Sequence, residues 1–254
     1  MRLAAATLLL AVALTACGAD EEPKSAEPEP DAAATPTRTS TPEPPPTTTP
    51  TPSPAPTKTT RTPEPRPVRG VDVSHHQGEI DWRRVSGDRI DFAYLKATEG
   101  SSFTDPRFAT NTREARQAGL RVGGYHYFTL CSPGTPQAEH FVSVLEGAPA
   151  RTMPPAIDLE LLGNCADPPP REDLLAEVRA FIDVVEQRTG QRVVVYAYPE
   201  FEDRFQVREV LDRRLWVRRI GDTPPAGDWW LWQRDDQAEI AGIDAPADLN
   251  LLAP

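Results

Sequence analysis

Pro155-Ala156-Ile157-Asp158-Leu159-Glu160 is a short apolar run that ends in two acids, and together with the next segment it sets the fold class. Residues 171–190 carry Leu174, Leu175, Val178, Phe181, Ile182 and Val185 at helical spacing and stop at Gly190. A second strand-like run comes next, at Arg192–Tyr198. A strand, a helix long enough to cross back and another strand make one parallel β/α unit. Upstream, the same reading gives strands at Gly70–Ser74, Asp91–Ala97 and Arg121–Phe128, with helices at Asp105–Gly119 and Pro136–Gly147. Asp105-Pro106 is the expected start of the first helix and Gly119 its end. Downstream, strands are expected at Leu215–Arg218, Trp229–Gln233 and Asp248–Leu251, with little helix between them. Eight strands in residues 68–254 predict an α/β barrel of irregular, TIM-like form.

The acids gather at one end of this map. Asp72 lies in the first strand, Glu99 follows the second, Asp158 and Glu160 close the fourth, and Asp248 begins the last. Side chains alternate along a strand, so Asp158 and Glu160 share a face. Cleaving a glycosidic bond needs a proton donor at the leaving oxygen and negative charge near a developing oxocarbenium ion. Neighbouring carboxylates and partial burial keep such a donor protonated near neutral pH. Glu160, the longer side chain, reaches further as the donor, and Asp158 stabilises charge or orients substrate. Taken alone, Asp-x-Glu at a strand end could equally bind a metal or cap a helix. Tyr125 with Tyr127, Tyr196 with Tyr198, and Trp230 with Trp232 each share a strand face and suit stacking on sugar rings; core packing is the competing use of such residues.

Composition bounds the remainder. Fifteen of the 29 prolines fall in residues 1–67, and from about Glu21 to Pro67 they mix with Thr, Ser, Glu and Ala. Such a segment buries too little to offset its ordering entropy and is expected to form an extended tether. Before it, Arg2 and the apolar run Leu3–Leu14 have the layout of a secretory signal peptide. Leu14-Thr15-Ala16-Cys17 resembles the lipobox of bacterial lipoproteins, which implies lipidation of Cys17 and anchoring to a membrane. The expected division is 1–16 signal peptide, 17–67 lipidated cysteine and linker, and 68–254 catalytic domain. Residues 1–67 hold 6 Lys/Arg and 8 Asp/Glu, which leaves 21 and 30 in the domain, a net charge of −9. That balance argues against nucleic acid as a partner. Cys131 and Cys165 remain in an oxidising compartment, where one disulfide between them is expected and free buried thiols are the alternative.

Several blocks, in order, resemble glycoside hydrolase family 25 lysozymes. They are Gly70-Val71-Asp72-Val73-Ser74-His75-His76-Gln77-Gly78 with Ile80-Asp81-Trp82, then Phe92-Ala93-Tyr94-Leu95-Lys96-Ala97-Thr98-Glu99-Gly100 with Asp105-Pro106-Arg107-Phe108. Gly123-Gly124-Tyr125-His126-Tyr127-Phe128, Gln137-Ala138 with Phe141, Pro154–Glu160, Trp232-Gln233 and Asp248-Leu249-Asn250 complete them. The resemblance covers essentially all of residues 70–252. It implies a barrel of five β/α units and three further strands. It also implies an N-acetylmuramidase acting on the β-1,4 bond between N-acetylmuramic acid and N-acetylglucosamine in peptidoglycan. Glu160 matches the general acid/base, and Asp158 the acid that assists the substrate's 2-acetamido group or otherwise stabilises the transition state. Asp72 and Asp248 match flanking carboxylates, and Glu99, Tyr125 and Trp232 match substrate-binding positions. No metal or cofactor is implied, and a monomer facing the cell wall is expected.

This chain departs from the family pattern at Leu215-Trp216-Val217-Arg218-Arg219-Ile220, where a small residue and an aromatic usually follow, and at Arg234-Asp235-Asp236 after Trp232-Gln233. Asp235-Asp236 reads as a solvated turn, lacking the glycine and spacing of a calcium loop. His75-His76, on an extended segment, would point opposite ways, and no partner at zinc spacing follows. His126 is expected to pack away from Tyr125. Beside the active enzyme stand a catalytically silent wall-binding lipoprotein of the same fold and a hydrolase of another saccharide such as chitin. Retention of all the acids favours the enzyme, since a binder has no need of clustered like charges.

Overall fold

The computed structural model describes residues 66–148 and 153–254. The expected signal peptide, Cys17 and nearly all of the linker lie outside them. Nine strands are present among the described residues: β1 (Arg69–Val73), β2 (Phe92–Glu99), β3 (Phe103–Thr104), β4 (Arg121–Tyr127), β5 (Ala156–Leu159), β6 (Val194–Ala197), β7 (Arg214–Arg218), β8 (Leu231–Ala238) and β9 (Ala247–Leu252). Five α-helices intervene: α1 (Trp82–Gly87), α2 (Phe108–Gln117), α3 (Gly134–Glu146), α4 (Arg171–Thr189) and α5 (Pro199–Phe205).

The strand order is β1-β9-β8-β7-β6-β5-β4-β2-β3, and β1 also pairs with β2. Eight strands therefore close into a barrel, with β3 folding back on β2 as a hairpin outside the ring. Pairing is parallel from β1 through β2 and β4 to β8, while β9 is antiparallel to both of its neighbours. This is the expected barrel of five β/α units and three strands.

Alternation along the strands divides the residues between two cores. On β2, Ala93, Leu95 and Ala97 face outward and pack with helix residues such as Phe108, Phe141 and Phe181. Phe92 and Tyr94 face inward and plug the lower barrel with Ala156, Val194, Trp216 and Leu231. Two glycines make room for the plug. A Cβ on Gly70 would lie 2.1 Å from the Phe92 ring, and one on Gly123 would lie 2.4 Å from the Tyr94 ring. His126 faces outward as expected, fully buried, and its ring contacts Gln137 Oε1 at 3.1 Å and Thr98 Oγ1 at 2.7 Å. Burial pushes its pKa down to about 3.

Several local expectations need correction. Helix α2 starts at Phe108 rather than Asp105, because the Asp105 carboxylate instead accepts from the Arg107 and His75 backbone N–H groups. His75-His76 form a 3₁₀ turn rather than an extended segment; Ser74 Oγ accepts from His76 N, and Gln77 Oε1 accepts from Ser74 N. Their rings lie 4.1 Å apart, and His75 Nδ1 sits 2.8 Å from Asp105 Oδ2. Asp235 and Asp236 belong to β8, which continues past two register shifts rather than turning. Helices α1 and α5 were not expected. Each has six or seven residues, too few to show a helical period, although Asp81 caps α1 and Pro199 opens α5.

Candidate active site

The upper end of the barrel, where the parallel strands finish, opens into a cleft. It is lined by Asp72, Tyr125, Asp158, Glu160, Tyr196, Trp216, Gln233 and Asp248, together with Ile157. Each polar member is placed by alternation. Asp72 is two residues above the Gly70 position on β1, Asp158 two above Ala156 on β5, and Gln233 two above Leu231 on β8. The plug beneath them closes the floor, so the acids sit on an apolar base rather than in an open pore.

All four acids are pushed toward the protonated form. Burial, and then the facing Asp248, hold Asp72 well above the ordinary carboxylate range. Burial and the neighbouring Glu160 do the same to Asp158. Burial and Asp248 push Glu160 up to about 7, against the lowering influence of Arg218 and Lys96. Burial lifts Asp248 to about 6. Tyr125 is held far above the usual phenol range by burial and by Asp72 and Asp158. The cleft thus contains a carboxyl able to carry a proton at neutral pH beside others that carry negative charge as pH rises.

Neutral donors rather than cations fix the deepest acid. Asn250 Nδ2 donates to Asp72 Oδ1 at 2.6 Å and Gln233 Nε2 approaches the same oxygen at 3.5 Å. Trp216 Nε1 donates to Asn250 Oδ1 at 2.7 Å, and the Tyr196 hydroxyl to Gln233 Oε1 at 3.0 Å. Each amide is therefore occupied at both ends, which sets its orientation and leaves its N–H groups aimed at Asp72. In contrast, Asp158 Oδ1 is buried with no hydrogen-bond partner among the described residues.

A model of glycosyl hydrolases family 25 matches residues 71–243. The chain belongs to that family. It is 31% identical over 193 residues to the Escherichia coli protein YegX, covering 73% of this chain and 69% of that one. It is 31% identical over 196 residues to lysozyme M1 of Streptomyces globisporus, with coverage of 72% and 67%. The solved structure of a family 25 glycosyl hydrolase from Bacillus anthracis is 34% identical, with a TM-score of 0.65 over 74% of this chain and 89% of that one. The protein is a glycoside hydrolase.

Within this family 25 site, Asp72, Asp158, Glu160, Asp248 and Tyr125 come together. Glu99 stands at the end of β2, where its Oε2 lies 2.6 Å from Lys96 Nζ. Trp232 does not reach the cleft. It alternates outward from Gln233, is buried, donates from Nε1 to the Arg219 carbonyl at 2.6 Å and packs beside Trp229. Trp230 precedes β8 and packs at the lower end of the barrel near Arg214. Of the shared-face aromatic pairs, only Tyr125 and Tyr196 line the floor of the cleft. Tyr127 donates to the Leu162 carbonyl, and Tyr198 lies against Arg218.

The residues that sequence reasoning missed as site components are Lys96, Trp216, Arg218, Gln233 and Asn250. Gln233 and Asn250 stand inside the family-like motifs, and their position two residues from an inward-facing neighbour was the available signal. Lys96 is buried on β2, its ammonium 4.8 Å from the Tyr127 ring centre. The Cys131–Cys165 disulfide forms, with Cα atoms 6.1 Å apart, and joins the loops after β4 and β5. Asn164 stitches the same loops, accepting from Leu130 N and donating to the Phe128 and Glu160 carbonyls. Glu160, just beyond β5, thus sits in a backbone held from both sides.

Proposed function

We propose that the protein is a peptidoglycan muramidase that hydrolyses the β-1,4 bond between N-acetylmuramic acid and N-acetylglucosamine. The observation that carries this reading is Glu160: a cleft carboxyl raised to about 7, beside Asp158 and facing Asp248, in a family 25 barrel. A relative such as lysozyme M1 supports it by name. Glu160 donates its proton to the glycosidic oxygen as the bond breaks. Asp158 supports the positive charge that develops at the anomeric carbon, and its unpartnered Oδ1 is free to accept the N–H of the substrate's 2-acetamido group. Asp72 and Asp248 supply the surrounding negative field, and Tyr125 offers a ring face to the sugar.

The proposed organisation is a signal peptide over residues 1–16, a lipidated Cys17 with a Pro/Thr-rich tether to residue 67, and a catalytic domain over 68–254. The protein would then act outside the cytoplasm, anchored to the membrane and facing the wall as a monomer. The test is digestion of purified peptidoglycan: solubilisation with new reducing ends at muramic acid supports the reading. Binding to wall without cleavage over a range of pH would instead identify a silent wall-binding protein. Globomycin-sensitive processing and acyl labelling at Cys17 would test the anchor.

A further inference from the structure

Arg218 tempers the charge of Glu160, but the catalytic reading gives it no contact with substrate. It is the last residue of β7, two beyond Trp216, and therefore projects from the same inward face at the mouth of the cleft. It is paired across the sheet with Gln233, whose side chain reaches Asp72 below it. Its guanidinium lies 4.8 Å from the centre of the Tyr198 ring and donates to Asp236 on β8. The side chain is 19% exposed and that of Asp236 is 36% exposed, so solvent reaches both members of the pair. Lys96, also a cation of the cleft, is more deeply buried and is committed to Glu99.

An acidic cleft repels an anionic glycan unless a cation meets the substrate's charge. A guanidinium seated over a phenol ring keeps that cation–π contact when its carboxylate partner changes, because the ring anchors the side chain and the partner supplies only the hydrogen bonds. Asp236 is thus an exchangeable counterion at a position pre-shaped for a carboxylate.

We propose that Arg218 is a specificity-determining residue that binds a carboxylate borne by the glycan strand, exchanging Asp236 for it when substrate enters. The inference rests on the muramidase reading. Two sources of that carboxylate exist on such a strand: the lactyl ether of muramic acid once its peptide has been removed, and the acidic residues of an intact stem peptide.

The experiment compares the full-length wild type with Arg218→Gln and Asp236→Asn on three substrates. These are strands with intact stem peptides, amidase-trimmed strands with free lactyl carboxylates, and trimmed strands capped as the neutral methylamide. Wild type should favour one or both charged substrates over the capped one, and the favoured member names the source. Arg218→Gln should cut that preference about tenfold in kcat/KM, mainly through KM, as expected for loss of about 1.4 kcal/mol of binding. Asp236→Asn removes the competing carboxylate and should leave the preference intact or raise it. Any effect of Arg218 on the catalytic acids is common to all three substrates and cancels in the ratio. An unchanged ratio in Arg218→Gln, or a lost preference in Asp236→Asn, overturns the inference. Cleavage of none of the three by wild type would overturn the muramidase reading and this inference with it.

Discussion

Asp72 on β1 stands directly opposite Asp248 on β9 across an antiparallel pair, yet the hydrogen bond that anchors Asp72 comes from Asn250, two residues further along β9. The strand that brings the second negative charge also brings the amide that holds the first. Among the described residues neither acid forms a salt bridge, although Arg218 draws the pKa of Asp248 down; Asp72 is fixed by neutral donors and remains responsive to the charges around it. Such a cluster costs stability at neutral pH and supplies the field that a cationic transition state needs.

Glu160→Gln keeps the shape of the proton donor and removes its proton. Turnover of peptidoglycan should fall by roughly 10²–10⁴-fold, the usual contribution of a general acid. Binding of glycan fragments, measured by calorimetry, should persist. Full activity in this variant would remove Glu160 from the role assigned to it.

The pH profile should carry the same signature. Glu160 acts protonated, and its pKa is pushed up to about 7, so kcat/KM should decline as pH rises through about 7. A rate that stays flat to pH 9 would contradict a Glu160 donor.

Stability should depend on pH in the opposite sense from that of a salt-bridged acid. Glu160 titrates near 7 in the fold and near about 4.3 in an unfolded chain. Between those values the folded state binds the extra proton at Glu160, so the contribution of this group to stability is fully present below about pH 4 and is lost as pH rises toward about 7. Glu160→Gln should therefore raise Tm at pH 8, by about 2–4 °C for each kcal/mol relieved, and leave it unchanged at pH 4. Thermal scans at the two pH values check both halves.

Asn250→Ala would orphan the Trp216 indole N–H and strip Asp72 of its closest donor. The expected cost is about 1–3 kcal/mol in denaturant unfolding. A fall in kcat should accompany it, because Asp72 loses its fixed position. Wild-type stability in this variant would show that the amide network is not what holds the floor of the cleft.

Replacing Cys131 and Cys165 by Ser removes a crosslink with a sequence separation of 34. Chain-entropy arguments give a loss of about 4 kcal/mol. The two loops it joins flank Glu160, so turnover should fall more than core packing alone would require. Paired unfolding and activity measurements, with and without reductant, separate the two effects.

The barrel, the acids and the disulfide partners are all legible in the amino-acid sequence. Strand and helix periods are local, and side-chain alternation forces Asp158 and Glu160 onto one face wherever a strand ends there. Which aromatic and polar residues serve the site is settled only when the chain folds. Trp232 and Gln233 are neighbours in sequence, but only the second faces the cleft, because the closed ring of strands fixes which phase of alternation on β8 points inward. Asp235-Asp236 reads as a turn until two register shifts carry β8 through them and bring Asp236 to Arg218. The amides of Gln233 and Asn250 converge on Asp72 across sequence separations of 161 and 178. The elevated pKa values belong to the same category: they arise from burial and from charges on different strands, which meet only when the barrel closes.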